Sequence, residues 1–410
     1  MKHSNLLLTF AAAASALLLS AWSLCAQPEI HSQWEGARVA FLGDSITETR
    51  QLDRYNNVYW NYLQDILGVE SYVYGISGHQ MSQIVGQAEK LEAEHGQAVD
   101  AILVMIGTND YNNNIPLGEW YTYSKKMTNH DGVAVERTYR ELIYDNSTFR
   151  GRANIAMRWL KSHYPDKQII FLTPLHRGVA NFNATNIQPV ESFCNGAGSF
   201  IEEYVQAVKE LGTVWAVPVI DLCSISGLYP MLDEHTRYFR NPDIDRLHPN
   251  AAGHLRMAYA VAYQLLGYPA VFPKYIGLAV DGAEGLDALE KSGVRASILS
   301  SGKLGSKAAK RAEALGCEVA EPESYSSVAV RSWEASVPAA ERAREIIAGA
   351  KDGDLLRISG SDAASLEALQ TAVPELQKRG FSFVSLSELY GSARSAAPKA
   401  AEGKTITNVY

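Results

Sequence analysis

An α/β fold built on a parallel sheet is what the sequence predicts for most of this chain. Three observations predict it: short apolar runs that stop at glycine, stretches of helical period between them, and polar blocks placed directly after the runs. A strand covered on both faces reads as an unbroken apolar run, and a helix between two such strands returns the chain to the same edge of the sheet.

The elements follow in order. Residues 1–26 read as an export signal, since Lys2 and His3 precede an apolar run over 6–19 and small residues lead to a cut after Ala26. Two other readings of this segment stand. One is an uncleaved anchor, because the run can be stretched to the ~20 residues that cross a bilayer; the other is lipid attachment at Cys25, which the bulky Leu24 disfavours. After cleavage the protein is expected to be periplasmic or secreted, with no stable membrane insertion.

A first domain is assigned to 27–270. Its strands are predicted at 38–42, 71–74, 101–106, 168–172 and 214–220, separated by helices at 58–67, 84–94, 153–162 and 200–211. The segment 111–150 breaks this pattern, being rich in Asn, Tyr and Trp with little periodicity. A long insertion there reads either as a binding loop suited to sugars or as a surface loop whose tyrosines merely pack. Tyr268-Pro269 to Phe272-Pro273 reads as a linker. A second, smaller α/β domain at 271–390 alternates again, with strands predicted at 276–280, 296–299, 354–358 and 382–386, and the polar tail 391–410 is expected to be disordered.

Composition narrows the function. Of 410 residues, 47% are hydrophobic and 20% charged, which is ordinary for a globular protein. A formal net charge of -8, with no Lys/Arg-rich stripe, removes nucleic acid from the expected partners. Beyond Cys25 the cysteines are Cys194, Cys223 and Cys317, too sparse a set for a disulfide framework, though pairing of Cys194 with Cys223 stays open.

Four blocks carry the chemistry. Gly43-Asp44-Ser45-Ile46 follows the first predicted strand, Gly75-Ile76-Ser77-Gly78 the second and Gly107-Thr108-Asn109-Asp110 the third, while Asp245-Arg246-Leu247-His248-Pro249-Asn250 lies late in the domain. Ligands of open α/β sheets bind at the carboxyl ends of the strands, so these blocks should converge. Alone, Gly-Asp-Ser is a common helix cap and Asp-x-x-His is equally bland. Together they supply a nucleophile, Ser45, a base, His248, and a carboxylate, Asp245, that fixes the imidazole. Asp44 reads as an organiser of the serine turn.

These residues closely resemble the SGNH, or GDSL-type, hydrolase family, over roughly residues 36–266. The resemblance implies a flavodoxin-like three-layer α/β/α sandwich and serine-dependent ester hydrolysis without metal or organic cofactor. It also implies an oxyanion hole made by the backbone N–H groups of Ser45 and Gly78 and the side-chain amide of Asn109. One departure is Tyr74 before Gly75, where many members carry Asn nearby.

The second domain resembles the start and the close of a polysaccharide deacetylase domain, at 276–299 and 353–389. Of that family's metal ligands only Asp281 remains, and no His follows Lys274, so the resemblance implies a shortened, degenerate, metal-free barrel with an accessory role. An unrelated small α/β domain is the alternative.

The expected activity is removal of acetyl or other short acyl groups from a polysaccharide or oligosaccharide, the partner being an acylated glycan or another small ester. A lipase, lysophospholipase or thioesterase on the same fold is the second reading, and a non-catalytic glycan-binding surface protein the third. Candidate substrate contacts are Asp110, Tyr111, His79, His176 and Arg177, each placed by sequence near the predicted edge. For each, a plain structural role is the competing reading.

Overall fold

The computed structural model describes residues 32–49 and 57–390; the predicted signal segment and tail lie outside them. The chain divides into two compact units, Met1–Ala270 and Val271–Tyr410.

The first unit is a flavodoxin-like three-layer α/β/α sandwich. Its strands β1 (Arg38–Gly43), β2 (Glu70–Val73), β3 (Ala101–Met105), β6 (Gln168–Leu172) and β9 (Val219–Ile220) pair in parallel in the order β2-β1-β3-β6-β9. The apolar runs are strands because both faces are used. Ala40, Leu42, Ile102, Val104, Ile169 and Phe171 face one core together with Ile84, Leu91, Met157, Leu160, Tyr204 and Val208. Those partners come from helices Ile84–His95, Phe149–His163 and Ile201–Trp215. Intervening strand residues such as Phe41, Leu103 and Ile170 are buried as well, and Phe41 meets Tyr59 edge-on at 5.9 Å, on the side of helices Tyr59–Leu67 and Ala251–Leu265. Each such side chain contributes about 1.5–3 kcal/mol of burial.

Three local readings change. The run predicted as a strand over 214–220 is split: the helix continues to Trp215, Ala216 ends it in the left-handed conformation (φ 52°), and only Val219–Ile220 pairs. The segment 111–150 is not irregular, for it holds a twenty-two-residue hairpin of β4 (Tyr121–His130) and β5 (Val133–Leu142), paired in register through ten rungs across Asp131-Gly132. A second, antiparallel sheet of order β10-β11-β7-β8 is new, built from β7 (Ala180–Asn183), β8 (Asn186–Gln188), β10 (Phe239–Asn241) and β11 (Asp245–Pro249). Cys194, Cys223 and Cys317 are free thiols.

The second unit holds a parallel sheet of order β14-β13-β12-β16-β15, with β17 also pairing β12. Its strands are β12 (Lys274–Asp281), β13 (Ser297–Leu299), β14 (Glu318–Ala320), β15 (Val330–Arg331), β16 (Asp354–Ser359) and β17 (Phe381–Val384). Among the described residues β14 and β15 each pair with one neighbour, so the sheet is open rather than closed into a barrel. Asp281, the one residue that the sequence matched to the deacetylase metal ligands, accepts a hydrogen bond from Arg357 Nε at 2.8 Å and pairs with its guanidinium. Among the described residues no helix is long and apolar enough to cross a membrane.

Candidate active site

The end of β1 is where the site begins. Gly43 closes the strand because nothing larger fits: a Cβ there would meet the Met105 carbonyl at 2.5 Å and Thr47 Oγ1 at 2.7 Å. The buried Gln87 grips the same residue from helix Ile84–His95, its Oε1 accepting from Gly43 N–H and its Nε2 donating to Gly43 C=O, both at 2.8 Å. Asp44 turns the chain. Its side chain accepts from Ile46 N–H at 3.0 Å and its carbonyl from Thr47 and Glu48, which leaves Ser45 at the crest of the turn. Complete burial pushes the Asp44 carboxyl up to about 6.

Ser45 meets residues 203 positions further on. Its Oγ lies 2.9 Å from His248 Nε2, and His248 Nδ1 lies 3.1 Å from both carboxylate oxygens of Asp245. Asp245 is itself pinned, because Oδ1 also accepts from the backbone N–H groups of Leu247 (3.2 Å) and His248 (3.0 Å). Both residues stand on β11 in the antiparallel sheet. Asn250 then caps helix Ala251–Leu265 by accepting from Gly253 N–H, which anchors the strand end.

A cleft of about 290 Å³ opens over this trio. Ser77, Gly78, Asn109, Phe182, Asn186, Gln188, Arg240 and Leu247 line it. Gly78 has φ 79° with open space where a Cβ would lie, so the backbone conformation rather than crowding calls for glycine. Among the described residues, neither Ser45 N–H nor Gly78 N–H has a protein acceptor. Asn109 Nδ2 donates to the His79 carbonyl at 3.0 Å, which orients its amide at the cleft wall.

A serine hydroxyl, an imidazole, a pinned carboxylate and the cleft-lining Gly78 and Asn109 thus come together beyond the carboxyl ends of β1 and β3, from the four blocks that the sequence showed. The family model for the GDSL-like Lipase/Acylhydrolase family matches residues 41–256, just over half of the chain. The chain belongs to this family. Family membership makes it an ester-bond hydrolase of the SGNH type, and the match covers all four blocks.

Among solved structures, the chain is similar to a protein from Lactobacillus plantarum (24% identity, 57% of this chain and 98% of that one, TM-score 0.45). It is also similar to a possible lipase from Chitinophaga pinensis (21%, 56% and 97%, 0.41). A third is a catalytic mutant of an acetylxylan esterase from Geobacillus stearothermophilus (18%, 60% and 100%, 0.36). No curated protein matches.

The five candidate substrate contacts do not line the cleft, and each departs for a physical reason. Tyr111 is fully buried, edge-on to Tyr204, with its hydroxyl donating to the Phe193 carbonyl at 2.6 Å. Asp110 is buried too, accepting from Met81 N–H and from Arg152 Nη1, each at 2.9 Å; burial pushes its carboxyl up to about 6 against those partners. His79 turns its ring to Gln87 (Nδ1 to Nε2, 2.9 Å) and lines a neighbouring cavity of about 610 Å³, beside Tyr74 and Ile76. Burial lowers its imidazole below the ordinary range.

Arg177 lies beneath the cleft. Its Nη1 donates to Thr108 carbonyl and hydroxyl at 3.0 and 3.1 Å, its Nη2 to Gln188 Oε1 at 2.8 Å, and burial lowers it to about 10. His176 pairs with Glu191 at 3.0 Å; Cys223 and Glu191 hold its imidazole far above the usual range, at about 10. Gln87, Phe182, Asn186, Gln188 and Arg240 are the site residues that the sequence reading missed.

Proposed function

We propose that this chain is a serine esterase that releases acetyl or other short acyl groups from an oligosaccharide or polysaccharide, through an acyl-enzyme on Ser45. The observation that carries the reading is the continuous path Ser45 Oγ, His248 Nε2, His248 Nδ1, Asp245 carboxylate, with all contacts between 2.9 and 3.1 Å. The tautomer with the proton on Nδ1 leaves Nε2 free to accept the serine proton.

The chemistry follows. Ser45 Oγ bonds to the acyl carbon as its proton passes to Nε2, and the carbonyl electron pair moves to oxygen. That oxyanion meets the N–H groups of Ser45 and Gly78 and the remaining N–H of the Asn109 amide; preorganised donors of this kind each contribute about 10²–10³ in turnover. The carbon–alkoxide bond breaks and the alcohol leaves with the proton from Nε2. Water, deprotonated by Nε2, then attacks the acyl-enzyme and restores Ser45.

Two features support sugar over lipid. The cleft wall is amide- and hydroxyl-rich (Ser77, Asn109, Asn186, Gln188), with Phe182 and Leu247 as its apolar side chains. Its volume suits a short acyl group and one or two sugar units better than a long chain. In the aromatic segment after Asp110, Tyr111 and Trp120 are buried while Tyr123, Tyr139 and Tyr144 are exposed, and none of them lines the cleft. Export before action on an external glycan rests on the first 26 residues alone.

The test is acetate release. The mature protein is expected to deacetylate oligosaccharides and hydrolyse 4-nitrophenyl acetate faster than the decanoate, with Ser45→Ala inactive on both. Preference for the long-chain ester, with no acetate freed from any acetylated sugar, would replace the glycan reading by the lipase one.

A further inference from the structure

We propose that Arg240 recognises an anion in the cleft, and that the ester cleaved there carries a carboxylate on its alcohol part, as an O-acylated acidic sugar does. This deepens the glycan reading and rests on it.

Arg240 lines the same cleft as Ser45, Asp245 and His248. Two formal charges stand on that wall besides the imidazole, Asp245 and Arg240, and Asp245 is consumed by His248. The guanidinium is exposed and makes no hydrogen bond or ion pair with any described residue. Its neighbours are different: Arg246 pairs with Asp233 at 3.0 Å, and Arg177 is buried with Nη1 on Thr108 and Nη2 on Gln188. A planar fork of donors left unpaired beside a nucleophile is matched by a carboxylate, which accepts two parallel N–H bonds.

The backbone places this side chain deliberately. β10 pairs with β11 at Phe239↔Pro249 and Asn241↔Asp245, and the register is irregular between them, at Arg240. Such irregularities re-aim side chains and concentrate beside active sites. Phe239, one residue earlier, is buried and anchors the strand.

The position also says which half of the ester is charged. His248 returns its proton to the departing alcohol, so the alcohol part lies toward His248, while the acyl oxygen faces the donors of Gly78 and Asn109. Arg240 stands on the strand paired with that of His248. Phe182, whose ring lies 5.4 Å from that of His248, offers an apolar face on the same flank, and Asn186 and Gln188 offer amides for hydroxyl groups. A sugar ring bearing a carboxylate presents all three chemistries.

The experiment compares kcat/KM within two substrate pairs: 4-acetoxybenzoate against phenyl acetate, and acetylated oligogalacturonate against acetylated xylo-oligosaccharide. Each is measured for the wild type, Arg240→Gln, Arg240→Lys and Arg240→Glu. The ratio of anionic to neutral substrate is expected to fall about ten- to hundred-fold in Arg240→Gln, the range of a charge-assisted hydrogen bond. It falls further in Arg240→Glu and least in Arg240→Lys, chiefly through KM, and the wild-type ratio declines as salt is added. A ratio unchanged within about twofold in Arg240→Gln, in every pair that is hydrolysed, overturns the proposal while leaving acetate release from sugars intact. Loss of the ratio in the aryl pair with no sugar cleaved keeps the anion site and overturns the glycan reading instead.

Discussion

Gln87→Leu isolates the clamp beneath the serine turn. The side chains are similar in volume, so the substitution opens little cavity and removes three hydrogen bonds: to Gly43 N–H, to Gly43 C=O and to His79 Nδ1. The Gly43 carbonyl keeps a second donor, Ile76 N–H at 3.1 Å, so the orphan is one buried N–H. Such an orphan costs about 1–3 kcal/mol. For a unit of this size that lowers the melting midpoint by roughly 3–10 °C. Gly43 stands two residues before Ser45, so kcat on 4-nitrophenyl acetate is expected to fall more than KM rises. Calorimetry on the transition of the first unit, with steady-state kinetics on the same preparation, reads both. A midpoint within about 1 °C of wild type, with kcat intact, refutes the clamp.

Two further perturbations follow from the geometry. Asp245→Asn presents an amide where Nδ1–H needs an acceptor, and the resulting wrong tautomer is expected to cost about 10⁴ in kcat without unfolding the strand; a loss under tenfold contradicts the path drawn through His248. Asp44→Asn tests burial of a carboxyl held at about 6 against an ordinary 3.8. The folded state keeps a proton that the unfolded chain releases, so the wild type loses stability as pH rises from about 4 through about 6, by up to about 3 kcal/mol. The stability difference between Asp44→Asn and wild type, from denaturant titrations, should therefore grow over that window and vanish below it; a flat difference contradicts it.

The central strands β1, β3 and β6 were legible because each is a buried run ended by a turn, and the placement of Ser45 and Asn109 followed from that. Distance in sequence hid the rest. Gln87 reaches Gly43 across 44 residues, and the pairing of Arg177 with Thr108 and Gln188 converts a charge that reads as surface into a buried tie. The Tyr121–Leu142 hairpin escaped because both of its faces are solvated, so apolar alternation is weak and Asp131-Gly132 is its one strong turn signal. The antiparallel sheet escaped for a related reason: strands of three to five residues carry too little period to be read. At 214–220, an apolar helix end and a two-residue strand look alike in sequence.

The central claim is that Ser45 is a nucleophile activated by His248. Labelling of the folded protein with a fluorophosphonate, followed by peptide mass spectrometry, tests it most directly. A single phosphonyl adduct on Ser45 is predicted, absent in Ser45→Ala and strongly slowed in His248→Ala. An unlabelled wild-type protein, or an adduct on another residue, would contradict it.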